Sequence, residues 1–226
     1  MFGNGGVESI GEYAFAGCTA LQSFQLGDSL KVIGSYAFYG CTSITSTSFI
    51  GGLPDCLERI GTYAFYGSGI WQRTSGVVYV DDWAVGLNSS DMYITLDSKT
   101  RGIADYAFYG AMILEVAIPD SVEIVGRAAF YNCMFLMDVK LSGGMGSIPD
   151  YMFYGCMFLS RVTIPEGVTS IGRSAFYNCL SLAEIIIPDS VTSISDYAFY
   201  GSGLRNVIIG GGVEAVSYTH LRAHET

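Results

Sequence analysis

Histidine is nearly absent from this sequence: the two that occur, His220 and His224, both lie close to the C-terminus. The repeated body of the chain therefore offers no imidazole as a general base or as a metal ligand. None of the six cysteines lies two to four residues from another, although zinc sites use such pairs. No stretch approaches the ~20 apolar residues of a membrane-spanning helix. We therefore expect no enzyme active site, no metal site and no membrane insertion by this segment.

Positive charge is also scarce. The chain has 11 Lys and Arg against 21 Asp and Glu, a formal net charge of −10. Without a basic stripe to displace counterions from phosphates, nucleic acid is not an expected partner. The glycines at 143–146 and 210–212 are not followed by the Lys-Ser/Thr pair of a phosphate loop. The Asp81-Asp82 pair has no identifiable catalytic partner. We expect no cofactor and no enzymatic activity.

What the sequence has in abundance is repetition. A short phrase recurs eight times: an aliphatic residue, usually a Gly, then Ala-Phe (Met-Phe at 152–153) and a Gly or Asn. Between Val125 and Ile194 it returns every 23 residues. A fixed period of this size predicts a solenoid, in which each coil buries its apolar side only against its neighbours. The phenylalanines that should form one continuous buried column are Phe15, Phe38, Phe65, Phe108, Phe130, Phe153, Phe176 and Phe199.

The unit at residues 171–193 shows what each coil should contain. Ile185 and Ile187 alternate with Glu184 and Ile186, as in a half-buried strand. Pro188 cannot donate to a ladder of hydrogen bonds and ends the strand. The Ala-Phe segment is too short for a regular helix and predicts one helical or 3₁₀ turn. The expected fold is an α/β solenoid of about eight coils, each with one short parallel strand and such a turn.

The recurring Ile-Gly, Ala-Phe, Cys, Leu, Ile-x-Ile-Pro and Val-x-x-Ile positions resemble the BspA-like leucine-rich repeat of bacterial surface proteins and some parasitic protists. The likeness extends from about Val7 to Ala215. It implies a curved leucine-rich-repeat solenoid over residues 1–215 and a secreted or cell-surface location. It also implies adhesion to an extracellular protein or glycan. It supplies no catalytic residues, because the repeat motif is a packing motif.

Both ends of the chain depart from the repeat. The segment at 216–226 resembles the translation of a sequencing adapter, so we expect it to be a non-native tail; the alternative is a short native tail. At the other end, Val7 to Ile10 matches Val191 to Ile194, so the chain opens within a repeat. Natural solenoids carry polar caps, and neither end shows one. We expect a fragment of a longer protein.

Two other repeat positions are filled by one residue type in most coils. Five cysteines (Cys18, Cys41, Cys133, Cys156 and Cys179) occupy one position. We interpret them as buried free thiols; an occasional bridge between neighbouring coils or a metal site is the alternative. Tyrosine follows the phrase Phe in seven coils. This tyrosine column either seals the core from water or offers a platform for sugar or protein.

The repeat is interrupted between Ile60 and Ile103, where the interval is about one coil too long. Residues 77–80 and 83–86 predict two strands joined by a turn, so we expect a β-hairpin insertion at about 71–92. Both tryptophans, Trp71 and Trp83, lie there. They either form an aromatic contact site for a partner or cover the apolar edge that the insertion exposes. We favour the second interpretation, and keep Trp83 as a candidate contact.

The outward strand positions vary from coil to coil, whereas the inward ones do not. They fall into two columns. The first column is Ser23, Ser46, Glu115, Asp138, Arg161, Glu184 and Asn206, and the second is Gln25, Ser48, Ala117, Lys140, Thr163, Ile186 and Ile208. A variable face of mixed polarity on a rigid frame suits binding; drift of exposed positions is the alternative. The candidate binding residues are Asp138, Lys140, Arg161, Thr163, Glu184 and Trp83.

Two functions remain open at this stage. The first is a non-enzymatic surface adhesion module that binds a protein or glycan through its concave strand face or its hairpin. The second is a structural spacer within a larger extracellular protein.

Overall fold

The computed structural model describes residues 6–216, which form a solenoid with two ladders of short strands. The first ladder lies immediately before each Ala-Phe phrase, and the second lies after it. The first ladder contains β1 (Ser9–Ile10), β3 (Val32–Ile33), β5 (Arg59–Ile60), β7 (Trp83–Asn88), β8 (Gly102–Ile103), β10 (Ile124–Val125), β12 (Ser147–Ile148), β14 (Ser170–Ile171), β16 (Ser193–Ile194) and β18 (Ala215–Val216). The second contains β2 (Phe24–Gln25), β4 (Phe49–Ile50), β9 (Glu115–Ala117), β11 (Asp138–Lys140), β13 (Arg161–Thr163), β15 (Glu184–Ile187) and β17 (Asn206–Ile209).

The paired strands within each ladder run parallel and in register, one coil apart. Pairing divides each ladder into three sheets, with breaks between β5 and β7 and between β10 and β12 in the first ladder, and between β4 and β9 and between β13 and β15 in the second. Ile171 pairs with both Ile148 and Ile194 in the first ladder, and Val139 pairs with Val116 and Val162 in the second. The predicted leucine-rich-repeat solenoid is therefore confirmed. It differs from the prediction in having two strand segments per coil. The first-ladder segments are mostly two residues long, too short to show an alternating pattern in sequence.

The Ala-Phe phrase forms a series of tight turns instead of a helical turn. Tyr151 has φ 59° and Ser174 has φ 52°, in the left-handed region that a right-handed helix does not use. The Phe153 amide donates to the Ala175 carbonyl of the next coil at 2.8 Å. Since the backbone of the phrase bonds to its neighbouring coil, the phrase adds a third line of hydrogen bonds along the solenoid.

The phrase phenylalanines form the core, in two stacks. Rings in successive coils lie nearly parallel, with centroids 5.4 Å apart for Phe153 and Phe176. One stack contains Phe15, Phe38 and Phe65, and the other contains Phe108, Phe130, Phe153, Phe176 and Phe199. Phe15 is 42% exposed and Phe199 is half-buried, because they belong to the first and last phrases of the described solenoid, whereas Phe65 and Phe108, which flank the hairpin coil, are each 1% exposed. The expectation of one continuous buried column was therefore wrong in two respects: the column is interrupted between Phe65 and Phe108, and Phe15 and Phe199 are not fully buried.

The interruption between the two stacks is a coil of its own. The short helix α1 (Gly69–Arg73) begins at Ser68, whose side chain accepts from the Trp71 amide, and leads into β6 (Gly76–Val80). β6 pairs antiparallel with β7, so the predicted hairpin is present. β7 also pairs in parallel with β8, and in this way the hairpin supplies a first-ladder strand and continues the solenoid without an Ala-Phe phrase.

Trp83 lies inside this hairpin coil and is 0% exposed. Its indole lies against Gly102, where a β-carbon would collide with the ring. Trp83 therefore cannot contact a partner, which corrects the expectation that it is a candidate contact; it fills the joint between coils. Trp71 is half-buried and packs against Gly86 and the Tyr66 ring.

An ion pair crosses the hairpin coil. Asp105 is almost fully buried and lies 2.6 Å from the Arg59 guanidinium of the coil before the hairpin. It also accepts a hydrogen bond from the Arg127 amide at 3.0 Å. Burial raises the pKa of Asp105 above its usual value, although Arg59 acts in the opposite direction. The carboxylate thus joins three coils at the point where the phenylalanine column is broken.

The raised pKa of Asp105 predicts a pH-dependent difference between the wild type and Asp105→Asn. A carboxyl group whose pKa is higher in the folded state contributes stability below its unfolded pKa of about 3.9, and loses it as the pH rises through the folded pKa. Asparagine keeps an acceptor for the Arg127 amide and does not titrate. Urea melts from about pH 3.5 to about pH 7 should therefore show the wild type losing stability relative to Asp105→Asn as the pH rises. If the wild type instead gained stability relative to Asp105→Asn as the pH rises, the pKa of Asp105 would not be raised in the folded protein.

Candidate functional site

The second ladder presents two columns of outward side chains, which we call the outer strand face. Strand pairing aligns Tyr93, Glu115, Asp138 and Arg161 in the first column. It aligns Ala117, Lys140 and Thr163 in the second. In the last two coils Glu184 pairs with Asn206, and Ile186 with Ile208. All of these side chains are exposed except that of Asp138, which is half-exposed. The five predicted binding residues of the strand face therefore lie together on one surface.

The coil at 41–60 departs from the predicted columns. Ser48 is only 2% exposed, and its hydroxyl lies 2.9 Å from the Thr45 amide, which donates to it. The strand residue that pairs with Gln25 is Ile50, which is 55% exposed. The sequence register was therefore wrong by two residues in this coil, and Ile50 replaces Ser48 on the outer strand face. The two extra residues lie before the strand, since Phe24 follows Leu21 by three residues whereas its partner Phe49 follows Ile44 by five.

Charged groups occupy the centre of the outer strand face. The Arg161 guanidinium bonds the Asp138 carboxylate, with Nε and the second nitrogen 2.8 Å and 2.7 Å from the same oxygen. Lys140 and Glu184 form no ion pair with any residue between 6 and 216. An exposed pair such as Asp138 and Arg161 adds little to stability. These side chains can therefore exchange their contacts for those of a partner at small cost to the fold.

A strip of exposed apolar side chains borders this face, and sequence reasoning missed it. It consists of Met112, Met134, Phe135, Met137, Phe158 and Leu180, and we call it the apolar ridge. All six lie between the Ala-Phe phrase and the second-ladder strand of successive coils. The signal was present in Cys-Met-Phe-Leu at 133–136 and 156–159, where the corresponding residues of the first two coils are polar or small.

The surroundings of the repeat cysteines and tyrosines indicate that these side chains have mainly a structural role. Cys133 and Cys179 are buried free thiols that donate to phenylalanine carbonyls one coil back, and burial raises the pKa of each to about 12. Cys18 is exposed because no described coil precedes it. In the tyrosine column, the rings of Tyr131 and Tyr154 are stacked at 4.6 Å. The stacked ring faces cover one another, which favours the sealing interpretation over a sugar platform.

Two hollows remain beside the hairpin coil. One, of about 260 Å³, is lined by Tyr79, Asp81, Asp82, Asp97, Lys99 and Thr100. Asp81 accepts from the Leu53 amide at 2.9 Å. Asp82 pairs with Arg101 through Oδ2 at 2.8 Å, while its Oδ1 is buried and has no hydrogen-bond partner within residues 6–216. The other, of about 330 Å³, is lined by Thr45, Ser46, Thr47, Gly69, Ile70, Arg73 and Thr74. Over residues 6–216 no group of three or more His, Cys, Asp or Glu is placed to hold a metal ion.

None of the helices within residues 6–216 is both long and apolar enough to cross a bilayer.

Comparison with known proteins gives one consistent result. A family model described as BspA type leucine rich repeat region matches residues 3–75 and 88–222, in six copies. The gap between the two matches coincides with the hairpin coil. No curated protein matches the chain.

Several crystal structures have the same fold. A leucine-rich cell surface protein from Faecalibacterium prausnitzii is 31% identical, with a TM-score of 0.63 over 91% of this chain and 58% of its own. A leucine-rich repeat protein from Bacteroides ovatus is 24% identical, with a TM-score of 0.53 over 92% and 48%. The pneumococcal vaccine antigen PcpA is 18% identical, with a TM-score of 0.52 over 92% and 59%. The chain thus spans about half to three-fifths of these proteins.

Proposed function

This chain belongs to the BspA-type leucine-rich-repeat family, and from that premise we propose that it is a non-enzymatic binding module of a secreted or surface protein. Its ligand is an extracellular protein or glycan, held on the outer strand face. The similar protein from Faecalibacterium prausnitzii is described as a cell surface protein, which supports the location. We propose the adhesive role, the class of ligand and the absence of catalysis together.

The observation that carries the proposal is the contrast between the two sides of each second-ladder strand. On the inward side, Val116, Val139 and Ile185 are at most 3% exposed and fill equivalent places with aliphatic side chains. On the outward side, the paired positions carry acids, bases, a hydroxyl and aliphatic groups in turn. A frame that fixes the backbone while leaving the outward chemistry free can present a specific surface without loss of stability.

A structural spacer is the second candidate. The observation that favours it is the coil-to-coil hydrogen bonding along the axis, in which even the hairpin coil supplies a first-ladder strand through the pairing of Trp83 with Gly102. A spacer needs this rigid continuity and no ligand. The two functions therefore differ in one measurable property, which is binding by the outer strand face.

A binding screen tests the proposed function. The chain is measured by surface plasmon resonance against immobilised extracellular-matrix proteins and glycans, together with Arg161→Ala and Lys140→Ala. Loss of either side chain should weaken the complex about tenfold, the effect expected of an interface hot spot. Arg173→Ala is the matched control, because Arg173 is exposed on the phrase wall over the Tyr197 ring, away from the face. If the affinity for a ligand is unchanged by both substitutions, the binding site does not lie on the outer strand face. If no ligand binds, the structural spacer is favoured.

A further inference from the structure

The apolar ridge is the feature that the packing of the solenoid does not explain. Its six side chains are 43–56% exposed although they lie in coils with neighbours on both sides. Their exposure is therefore not an end effect, unlike that of Val207 or Phe15. The adjacent core positions are already filled, since Leu136 and Leu159 are 0% exposed. The ridge side chains are therefore not needed to fill the core.

The ridge is also confined to part of the chain. In the first two coils the corresponding residues are Thr19, Ala20, Thr42 and Ser43. The exchange of small and polar residues for Met, Phe and Leu begins with the coil that follows the hairpin. Within the ridge the Phe135 and Phe158 rings stack at 6.3 Å, nearly parallel, and the Phe158 amide donates to the Met134 carbonyl at 3.3 Å. The ridge is therefore an ordered surface that follows the coils.

The size of the ridge indicates a docking surface. Aromatic side chains carry about 150–250 Å² each, so six large side chains at about half exposure present on the order of 500 Å². This is at the upper end of the patches found on monomeric proteins, roughly 300–600 Å². It falls short of the ~800 Å² per partner in a stable interface. A partner must therefore cover the adjoining outer strand face as well as the ridge.

The chemistry of the ridge favours a protein partner over a glycan. Phenyl and isobutyl groups offer no hydrogen-bond donor or acceptor, and a thioether sulfur is only a weak acceptor. These side chains therefore cannot replace the water on sugar hydroxyls, whose desolvation without new hydrogen bonds is unfavourable. Methionine side chains are flexible and adapt to apolar side chains of different shapes. The partner surface that fits the ridge is therefore a row of aliphatic or aromatic side chains.

The opposite margin of the outer strand face is acidic. The turns that follow the strands carry Asp120, Glu166 and Asp189, all exposed, in three of the four coils that form the ridge. Strands of three or four residues lie between this margin and the ridge, which corresponds to about 10–13 Å at ~3.3 Å per residue. An α-helix with its side chains is about 10–12 Å wide. A helix that lies across the strands, along the solenoid axis, can therefore touch both margins at once.

We propose that the apolar ridge and the acidic margin form a docking groove for a net-basic amphipathic helix of a partner protein. The apolar stripe of the helix packs on Phe135, Phe158 and Met137, and its Lys or Arg side chains reach Glu166 and Asp189. Four coils at ~4.8 Å spacing span about 14 Å, which corresponds to about 10 residues of helix at 1.5 Å each. The net charge of −10 favours the encounter of such a partner. This inference rests on the proposed function and specifies its ligand class.

Synthetic helical peptides provide the test. One peptide of about 18 residues carries a leucine stripe flanked by lysines; a second replaces the lysines with glutamates, and a third replaces the leucines with serines. Fluorescence anisotropy is measured for the wild type, Phe158→Ser and Glu166→Lys. The matched controls are Val7→Ser, an exposed aliphatic residue that precedes the first strand and lies on neither the ridge nor the outer strand face, and Glu123→Lys, an exposed acid beside the first ladder. Circular dichroism melts establish whether each variant is folded. If Phe158→Ser does not fold, Met137→Ser takes its place as the ridge variant.

Only the first peptide should bind, and its affinity should fall with added salt. Phe158→Ser and Glu166→Lys should each weaken it about tenfold, whereas the two control variants should not. Equal binding of the glutamate peptide, insensitivity to Phe158→Ser and Met137→Ser, or no binding of the first peptide would each overturn the proposal. The matrix screen is read separately. A ligand lost on Arg161→Ala but unaffected by Phe158→Ser would leave the proposed function in place and remove the helix groove.

Discussion

Replacing Phe153 with alanine should lower the free energy of unfolding by about 3–5 kcal/mol, the range for truncating a buried phenylalanine in a rigid core. Phe153 is 0% exposed and lies between Phe130 and Phe176, with ring centroids 5.6 Å and 5.4 Å away. Its backbone is held by hydrogen bonds to the neighbouring coil, so the coils cannot collapse into the cavity. For a chain of this length the melting temperature should fall by roughly 6–20 °C.

Two other phenylalanines provide internal controls. Phe158→Ala removes the same atoms from a ring that is 49% exposed, and Phe15→Ala removes them from the half-open end of the stack. Both should cost less than Phe153→Ala, because less apolar area returns to water. Thermal and urea melts of the three variants measure the order directly. Equal losses for all three, or a Phe153→Ala melt within about a degree of the wild type, would contradict a core built on stacked rings.

Trp83→Ala should have an effect of similar size, about 3–5 kcal/mol, for a different reason. Trp83 is the largest fully buried side chain and fills the coil in which the Ala-Phe phrase is missing. Its ring packs on Gly102 and lies 5.7 Å below the Arg101 guanidinium. Arg101 in turn donates to the Pro54 and Asp55 carbonyls. Removing the indole should therefore loosen the joint between the two halves of the solenoid as well as leave a cavity.

Trp83→Phe separates packing from polarity at the same site. The Trp83 Nε1 group is buried and has no hydrogen-bond partner within residues 6–216. Phenylalanine keeps most of the apolar volume and removes this unsatisfied donor, whose burial is unfavourable. Trp83→Phe should therefore cost much less than Trp83→Ala in urea melts. A phenylalanine variant as unstable as the alanine variant would mean that the indole nitrogen has a partner that matters.

The solenoid could be predicted from sequence because its core repeats at a fixed interval. Phe130, Phe153 and Phe176 are 23 residues apart, and each fills the same place one coil further along the axis. Stacking identical rings requires only this spacing, so the period alone indicates the architecture. The inward and outward sides of the second ladder followed from alternation within Ile185–Ile187, which the structure confirms.

What could not be predicted depends on contacts between distant residues. Trp83 was kept as a candidate contact because sequence shows an inserted hairpin but not which of its sides faces the core. The parallel pairing of β7 with β8 decides this. Similarly, the two-residue strands of the first ladder have no local pattern, and they exist only because neighbouring coils supply their hydrogen bonds.

The apolar ridge was missed for yet another reason. Met134 and Phe135 stand next to the core residue Leu136, so in the sequence they merge into one apolar run. The structure separates them, since Leu136 points inward and is 0% exposed while Phe135 is 43% exposed. The candidate site therefore combines predicted residues on the strands with a border that only the folded chain shows.

The central claim is that this solenoid separates a rigid inner frame from an outer strand face free to bind. The most direct measurement follows melting temperature and ligand affinity together in Arg161→Ala. The ligand for this measurement is the one that the screen of extracellular-matrix proteins and glycans identifies. The side chain is 77% exposed, so its loss should leave the melting temperature within roughly 2 °C of the wild type while weakening the complex about tenfold. A large loss of stability, or an unchanged affinity in a folded variant, would contradict that separation.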